Sequence, residues 1–305
     1  MAVDAIIWRK RRLEPQVINK PANAPHLAPP VVMVEWFNAH WYKVTQNGNV
    51  HWIPSVTTKL GIIDKPFLAK WRGDLGNREA DLRMEDAANR GTRIHYAWAA
   101  ALMNGAVLYN PARNAVYTEE GIAEYRKKYK EVAIIRSQDE MWQIVKLQKQ
   151  FNILKPKIVD VEKTVFDIED SIAGTIDHVY YIGEGEYKVN GSKPLYLKEG
   201  LYIGDLKTGS VVDENVWLQI APYLYCYEKM VGITCQGGLV THTSAKTKAG
   251  IEGLATLFRS REELIDKDFP DYLHASKLWM RKHADDKPET FEFPSMITLT
   301  NQKDN

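Results

Sequence analysis

Apolar and polar residues alternate in the second half of the chain, and this period of two predicts β-strands. The alternation covers residues 158–166, 172–182 and 201–206, which we interpret as three neighbouring strands. A polar insertion, residues 183–200, separates the last two strands and is predicted to form a loop or a hairpin extension. Residues 238–242 predict a further strand.

Helical periodicity flanks these strands. An Ala-, Leu-, Arg- and Glu-rich region predicts helix over residues 64–103, with interruptions at Gly73, Gly76 and Gly91. The other predicted helices cover residues 138–154, residues 213–230 with Asp213 as the cap, and residues 259–283 with an interruption at Pro270.

The N-terminal part predicts different structures. Five prolines lie within residues 1–30, where they disfavour helices and strand ladders, so we predict an extended arm. Asn47 and Gly48 between alternating segments predict a hairpin, and Ser55 is placed to cap a short helix. The order of the predicted helices and strands along the rest of the chain predicts one mixed α/β domain with a central sheet packed by helices. Its two parts are a hairpin and helical region, residues 31–156, and a core, residues 157–305.

Composition narrows the function classes. The chain has 305 residues with 40 basic and 39 acidic side chains, so its net charge of +1 gives no argument for nucleic acid by itself. Cys226 and Cys235 are too few to hold an iron–sulfur cluster. The first residues lack the order of a signal peptide, and apolar runs are shorter than the roughly 18 needed to cross a bilayer. We therefore expect a cytoplasmic protein without a membrane partner.

Two acidic residues stand in predicted strands, Asp177 in the second and Asp205 in the third. Aspartate is depleted in strands, so these placements favour a functional role. Lys207 follows Asp205 by two residues and therefore projects from the same side. Two carboxylates suit a hard divalent cation such as Mg²⁺, which leaves the amine to handle a water molecule. The alternatives to a functional role are that Asp177 only ends a strand through a turn and that Lys207 only forms an ion pair with Asp205.

An aspartate at a strand turn followed by Asp-Leu-Lys on a later strand resembles the metal site of the PD-(D/E)XK nucleases. Gln219 and Tyr223 match the Q-x-x-x-Y motif of the RecB-type branch, and His95 stands upstream in a Gly-Thr-x-x-His context. Residues 54–58, Pro-Ser-Val-Thr-Thr, with Trp71 are similar to the upstream signature of phage and mitochondrial single-strand exonucleases of that branch. A proline between Gln219 and Tyr223 departs from the pattern, because it tends to kink a helix.

The resemblance implies a restriction-endonuclease-like α/β fold with a mixed central sheet flanked by helices and an N-terminal helical region. The implied metal ligands are His95, Asp177, Asp205 and the carbonyl of Leu206, and the implied catalytic residues also include Lys207 and Glu162. Gln219 and Tyr223 are expected to organise the site and the nucleic-acid strand, while Arg93 and Lys246 are expected to contact its backbone.

The function that the resemblance implies is a Mg²⁺- or Mn²⁺-dependent DNA exonuclease that lacks an iron–sulfur cluster. It would act from ends with a single-strand preference in replication, recombination or repair. The chain has no phosphate-binding GxxxxGK[ST] loop, so unwinding would need a partner such as a helicase, with a recombinase or a single-strand-binding protein as further partners. The alternatives are a structure-specific endonuclease and a non-catalytic nucleic-acid-binding subunit of a recombination complex.

Overall fold

A five-stranded mixed sheet forms the centre of the computed structural model. Its strands are β6 (Lys157–Asp167), β7 (Ile172–Ile182), β10 (Gly200–Lys207), β11 (Cys235–His242) and β12 (Ala255–Ser260). The order across the sheet is β12-β11-β10-β7-β6. Only the β10–β11 pair of this sheet is parallel. The prediction of three neighbouring strands in the second half of the chain is confirmed.

The structure describes residues 31–36, 39–113, 115–190, 193–248, 250–286 and 288. The extended arm predicted for residues 1–30 lies outside them. Within the described part, no helix has the length and apolar character that a membrane crossing requires.

Helices pack on both faces of the sheet. The helices are α1 (Val56–Leu60), α2 (Pro66–Leu75), α3 (Asn77–Leu102), α4 (Glu119–Lys128), α5 (Gln138–Leu154), α6 (Val216–Val231), α7 (Arg261–Glu263) and α8 (Phe269–Lys282). Ile203 belongs to a core cluster with α1, α6 and α8, whereas its neighbour Tyr202 belongs to a second cluster with α3 and α5. Alternation along β10 thus builds two separate cores, one on each face.

The N-terminal hairpin is confirmed and is part of a larger sheet. Strands β1 (Val31–Trp36), β2 (Ala39–Gln46) and β3 (Asn49–Pro54) pair antiparallel. Asn47 and Gly48 have φ values of 51° and 79°, the left-handed conformations that a tight hairpin turn needs. The side chain of Ser55 accepts a hydrogen bond from the Thr58 N–H at 3.0 Å and caps α1 as predicted. Strand β1 was not predicted.

Several predicted boundaries differ from the structure. Of the three glycines in the first helical region, only Gly76, with φ of 82°, separates two helices, whereas Gly73 and Gly91 lie inside α2 and α3. Pro270 stands in the first turn of α8, where a missing N–H costs nothing, and therefore does not interrupt it. Asp213 accepts a hydrogen bond from the Asn215 N–H, and α6 begins after it at Val216.

Short elements complete the chain. They are β4 (Ala106–Tyr109), β5 (Val132–Ile135), β8 (Gly185–Tyr187), β9 (Leu195–Leu197), a 3₁₀ turn (Lys188–Asn190) and a π turn (Leu264–Asp268). The antiparallel β8–β9 pair forms the hairpin extension that the polar insertion predicted. Strand β12 was not predicted, and its last two residues, 259 and 260, fall where the sequence predicts the start of a helix; there the pairing with β11 overrides the local helical pattern.

Lys59 on α1 is a fully buried lysine. Its ammonium group donates a hydrogen bond to the carbonyl oxygen of Ser171. Burial lowers the pKa of Lys59 to about 8, although Cys226 and Asp170 act in the opposite direction. The folded protein therefore holds a lysine whose charge is unfavourable near neutral pH.

The lowered pKa of Lys59 predicts how the free energy of unfolding depends on pH. Below about pH 8 the amine is protonated in both states, whereas between about pH 8 and 10.5 the unfolded chain binds the extra proton, so stability rises with pH. We expect the free energy of unfolding of the wild type, relative to Lys59→Met, to rise by on the order of 2 kcal/mol between about pH 7.5 and pH 10. Urea unfolding at both pH values measures this change. Lys277→Met, at an exposed position of α8, is the control. Parallel stability curves for wild type and Lys59→Met would contradict the prediction.

Candidate metal centre

Three side chains from three different elements form a cluster of metal-binding groups. One ligand atom each of His95, Glu162 and Asp177 lies within 4.8 Å of the other two. Within the cluster, His95 Nδ1 lies 3.4 Å from Asp177 Oδ1. All three residues are half-buried, so the cluster is shielded but still open to a ligand. All three are among the site residues that the sequence predicts.

The position of Asp177 follows from the end of a strand pair. The β7–β10 ladder ends at the His178–Gly204 pair. Beyond this pair, the Leu206 N–H donates to Asp177 Oδ2 at 2.7 Å. A side-chain carboxylate thus takes a backbone donor of β10. This bond fixes one oxygen of Asp177 and leaves the other, Oδ1, facing His95.

Glu162 holds a strained backbone conformation inside β6. Val161 pairs with His178 and Lys163 pairs with Ile176, so Glu162 lies opposite Asp177 in the register. Its φ of 51° is in the left-handed region, which costs a non-glycine residue about 1 to 3 kcal/mol. Strain of this kind is concentrated at functional sites, and here it accompanies a carboxylate that joins the cluster.

His95 approaches from α3, anchored by buried neighbours. Ile94 and Ala97 are fully buried in the core beneath the helix. Burial alone would lower the pKa of His95, but the nearby carboxylate of Asp177 raises it to about 9. For Asp177, burial works against ionisation, yet His95 and the Leu206 N–H together hold its pKa well below the ordinary value. The pair is therefore an imidazolium and a carboxylate at neutral pH.

A second polar group, next to this cluster, joins Asp205, Lys207 and Gln219. Lys207 Nζ lies 3.0 Å from Asp205 Oδ1 and 2.8 Å from Oδ2, and it also donates to Gln219 Oε1 at 3.0 Å. Gln219 Nε2 in turn donates to Asp205 Oδ1 at 2.9 Å. Burial raises the pKa of Asp205, whereas Asp205 raises the pKa of Lys207 against the effect of burial. Lys207 is consequently held in one position as a cation.

The two groups differ from the predicted arrangement in one respect. The sequence predicts that Asp177 and Asp205 bind one ion, whereas among the described residues the close set of ligand atoms comprises His95, Glu162 and Asp177. Asp205 instead contacts Lys207 and Gln219. Its role as a ligand stays a prediction, as does that of the Leu206 carbonyl.

Tyr223 and Gly174 explain how α6 lies so close to the sheet. The ring of Tyr223, only 4% exposed, covers Gly174 of β7, and a Cβ at position 174 would overlap that ring. Helix α6 continues through Pro222 without a break. The buried ring differs from the expected contact between Tyr223 and a nucleic-acid strand, because it packs against β7. On the same helix, one turn before Tyr223, Gln219 bonds to Asp205.

This contact predicts that one methyl group added at position 174 strongly lowers the free energy of unfolding. Gly174→Ala should lower the free energy of unfolding by about 3 kcal/mol, because the ring and the strand cannot both keep their places. Gly73→Ala is the matched control, since it lies in α2 with nothing within 4 Å of an added Cβ and should gain about 0.5 to 1 kcal/mol. Urea unfolding measures both, and equal stabilities of the two variants would contradict the packing argument.

The other residues predicted to contact nucleic acid, Arg93 and Lys246, are not members of the cluster. Arg93 makes hydrogen bonds to the buried carboxylate of Glu140, the shortest at 2.6 Å, and its side chain remains 49% exposed. Lys246 is exposed in the segment after β11. A hydrogen bond between β2 and β7, in which the hydroxyls of Tyr42 and Thr175 lie 2.9 Å apart, was not predicted from the sequence. The only signal was a threonine two residues before Asp177.

Comparisons of this sequence with protein-family models and with curated proteins find no match. The function is accordingly inferred from the chemistry of the described side chains. They offer one imidazole nitrogen, two carboxylates in the same cluster, and an adjacent ammonium group hydrogen-bonded to a buried third carboxylate.

Proposed function

We propose that this chain is a divalent-metal-dependent deoxyribonuclease that hydrolyses phosphodiester bonds from DNA ends, with a preference for single strands. The observation that carries the proposal is the cluster of His95, Glu162 and Asp177 beside the cation of Lys207. The resemblance of Asp177 and of residues 205–207 to the PD-(D/E)XK nucleases supports the reaction class. Restriction-endonuclease-like topology is part of the same proposal.

The ligand atoms fit a hard or borderline divalent ion. Carboxylate oxygens suit Mg²⁺ and Mn²⁺, and an imidazole nitrogen favours Mn²⁺ over Mg²⁺. His95, Glu162 and Asp177 would hold the ion, with Asp205 as the predicted further ligand. A bound ion would polarise the scissile phosphate and lower the pKa of the hydrolytic water. Because His95 must be neutral to bind a metal, its raised pKa of about 9 means that metal binding releases a proton at neutral pH.

Lys207 supplies the charge that phosphate hydrolysis requires. Its raised pKa keeps it protonated, so it stabilises negative charge on the phosphate or orients the attacking water and does not act as a base. Asp205 and Gln219 hold the ammonium group before the substrate arrives, which avoids reorganisation during the reaction. A helicase, a recombinase or a single-strand-binding protein would present the single-stranded end.

A substrate panel tests the proposal. Linear and circular DNA, each single- and double-stranded, is incubated with Mg²⁺, with Mn²⁺ or with a chelator. We expect linear single strands to be degraded in the presence of either metal and to survive with the chelator. Cutting of circular DNA would contradict the exonuclease proposal and identify an endonuclease. Binding without turnover in the presence of every metal would identify a nucleic-acid-binding subunit.

A further inference from the structure

A cleft of about 880 Å³ lies between α3, α5 and the segment that follows β11. Its lining includes Arg90 of α3 and Trp142, Lys146 and Lys149 of α5. Asp139 and Glu252 also line it, so three cations and two carboxylates leave an excess of one positive charge. None of these side chains belongs to the candidate metal centre.

One wall of the cleft is hydrogen-bonded to the end of β10, the strand that carries Asp205 and Lys207. The Thr243 N–H donates to the carbonyl oxygen of Lys207 at 3.0 Å, and the hydroxyl of Ser244, which lines the cleft, donates to that of Thr208 at 2.9 Å. On the opposite wall, Arg90 precedes His95 by five residues on α3, a rise of about 7.5 Å and a rotation of about 140° about the helix axis, so the two side chains leave the helix on different sides. The cleft therefore lies beside the metal centre, along α3 and the end of β10.

One face of α5 carries the side chains suited to a ligand. Trp142, Lys146 and Lys149 are spaced i, i+4 and i+7, whereas Ile144 and Leu147 are buried on the core side. The indole of Trp142 is 53% exposed, which is unusual for the largest apolar side chain.

The two lysines on this face have different roles. Lys146 donates to the carbonyl oxygens of Thr243 and Gly253 at 2.9 and 3.4 Å and so ties the far wall to α5. The cations left for a ligand are therefore Arg90 and Lys149, which share the cleft with Asp139 and Glu252. Within the described part of the chain, the buried Nε of Arg90 has no hydrogen-bond partner.

We propose that this cleft binds single-stranded DNA next to the scissile bond, with an unpaired base stacked on Trp142 and phosphates on Arg90 and Lys149. The inference rests on the proposed function and assigns its substrate path. An exposed aromatic ring among cations is the combination that binds single strands without sequence preference, because every base has a face for stacking. In a duplex those faces are already stacked, so the same cleft selects the single-stranded form.

The stacking part is tested by Trp142→Ala, measured without metal so that chemistry plays no role. A fluorescein-labelled oligothymidylate of about 16 nucleotides is titrated with full-length protein in a chelator, and fluorescence anisotropy gives the affinity. We expect the variant to bind about 10-fold more weakly than the wild type, with an unchanged circular dichroism spectrum. Tyr196→Ala is the matched control, because Tyr196 is 52% exposed but belongs to the β8–β9 insertion. It should bind like the wild type.

The phosphate part is tested by the salt dependence of the same binding. Each lost phosphate contact should reduce the slope of log affinity against log salt by about 0.7, so Arg90→Gln combined with Lys149→Gln should reduce it by about 1.4. Lys277→Gln removes an exposed charge from α8, on the other face of the sheet, and should leave the slope unchanged.

The outcomes separate this inference from the proposed function. If Trp142→Ala and the double variant bind like the wild type while the wild type degrades DNA, the cleft assignment is overturned and the nuclease proposal stands. If binding depends on Trp142 but no metal produces hydrolysis, the cleft assignment is supported and the nuclease proposal fails. A wild type that does not bind the oligonucleotide overturns the cleft assignment.

Discussion

Asp177→Asn is expected to lower the rate of single-strand hydrolysis by at least about 1,000-fold, equivalent to about 4 kcal/mol in the barrier. Asparagine has nearly the same shape, and its carbonyl oxygen can still accept the hydrogen bond from the Leu206 N–H. What disappears is the negative charge that faces His95 and would face a metal ion. The fold and the metal-free affinity for single-stranded DNA should therefore be retained.

A second measurement on Asp177→Asn separates metal binding from chemistry. Mn²⁺ at about 100 times its dissociation constant should stabilise the wild type by about 2.7 kcal/mol, and this gain should be largely absent in the variant. Thermal unfolding with and without Mn²⁺ measures it. Asp271→Asn, at an exposed position of α8, should keep both the activity and the response to Mn²⁺. Full activity of Asp177→Asn would remove the basis of the site assignment.

Lys207→Ala is expected to lower turnover by about 100- to 1,000-fold, since it removes the cation that is held next to the candidate metal centre. It should also destabilise the fold by about 3 kcal/mol, because the carboxylate of Asp205 is only 6% exposed and loses its charged partner. The pKa of Asp205, which burial already raises, should rise further without Lys207. Gln219 remains as a donor to Asp205.

A double variant distinguishes the chemical role of the Asp205–Lys207 pair from its structural role. Lys207→Ala combined with Asp205→Asn leaves no buried unpaired charge, so most of the lost stability should return while turnover stays low. Lys163→Ala is the control lysine, since Lys163 pairs with Asp160 at 3.4 Å on β6 and should have little effect on turnover. Wild-type turnover in the double variant would show that neither residue takes part in the reaction.

Single helices, strands and turns were predictable because the residue patterns that indicate them lie within the elements themselves. The prediction of a helix over residues 138–154 matches α5 at both ends, and the prediction over residues 172–182 matches β7. Asn47 and Gly48 adopt the left-handed conformations that their residue types favour in a turn. Periodicity and turn chemistry act within a few residues, so they can be recognised without knowledge of the fold.

The amino-acid sequence by itself determined which side chains can take part in metal chemistry, namely His95, Glu162, Asp177, Asp205 and Lys207. Only the tertiary structure decided how they are divided. Glu162 joins His95 and Asp177 because the register of β6 against β7 places it there, while Asp205 is held by Lys207 and by Gln219 from α6. Strand register and helix packing depend on contacts far apart in the sequence, so a motif can name these residues but cannot state which of them meet.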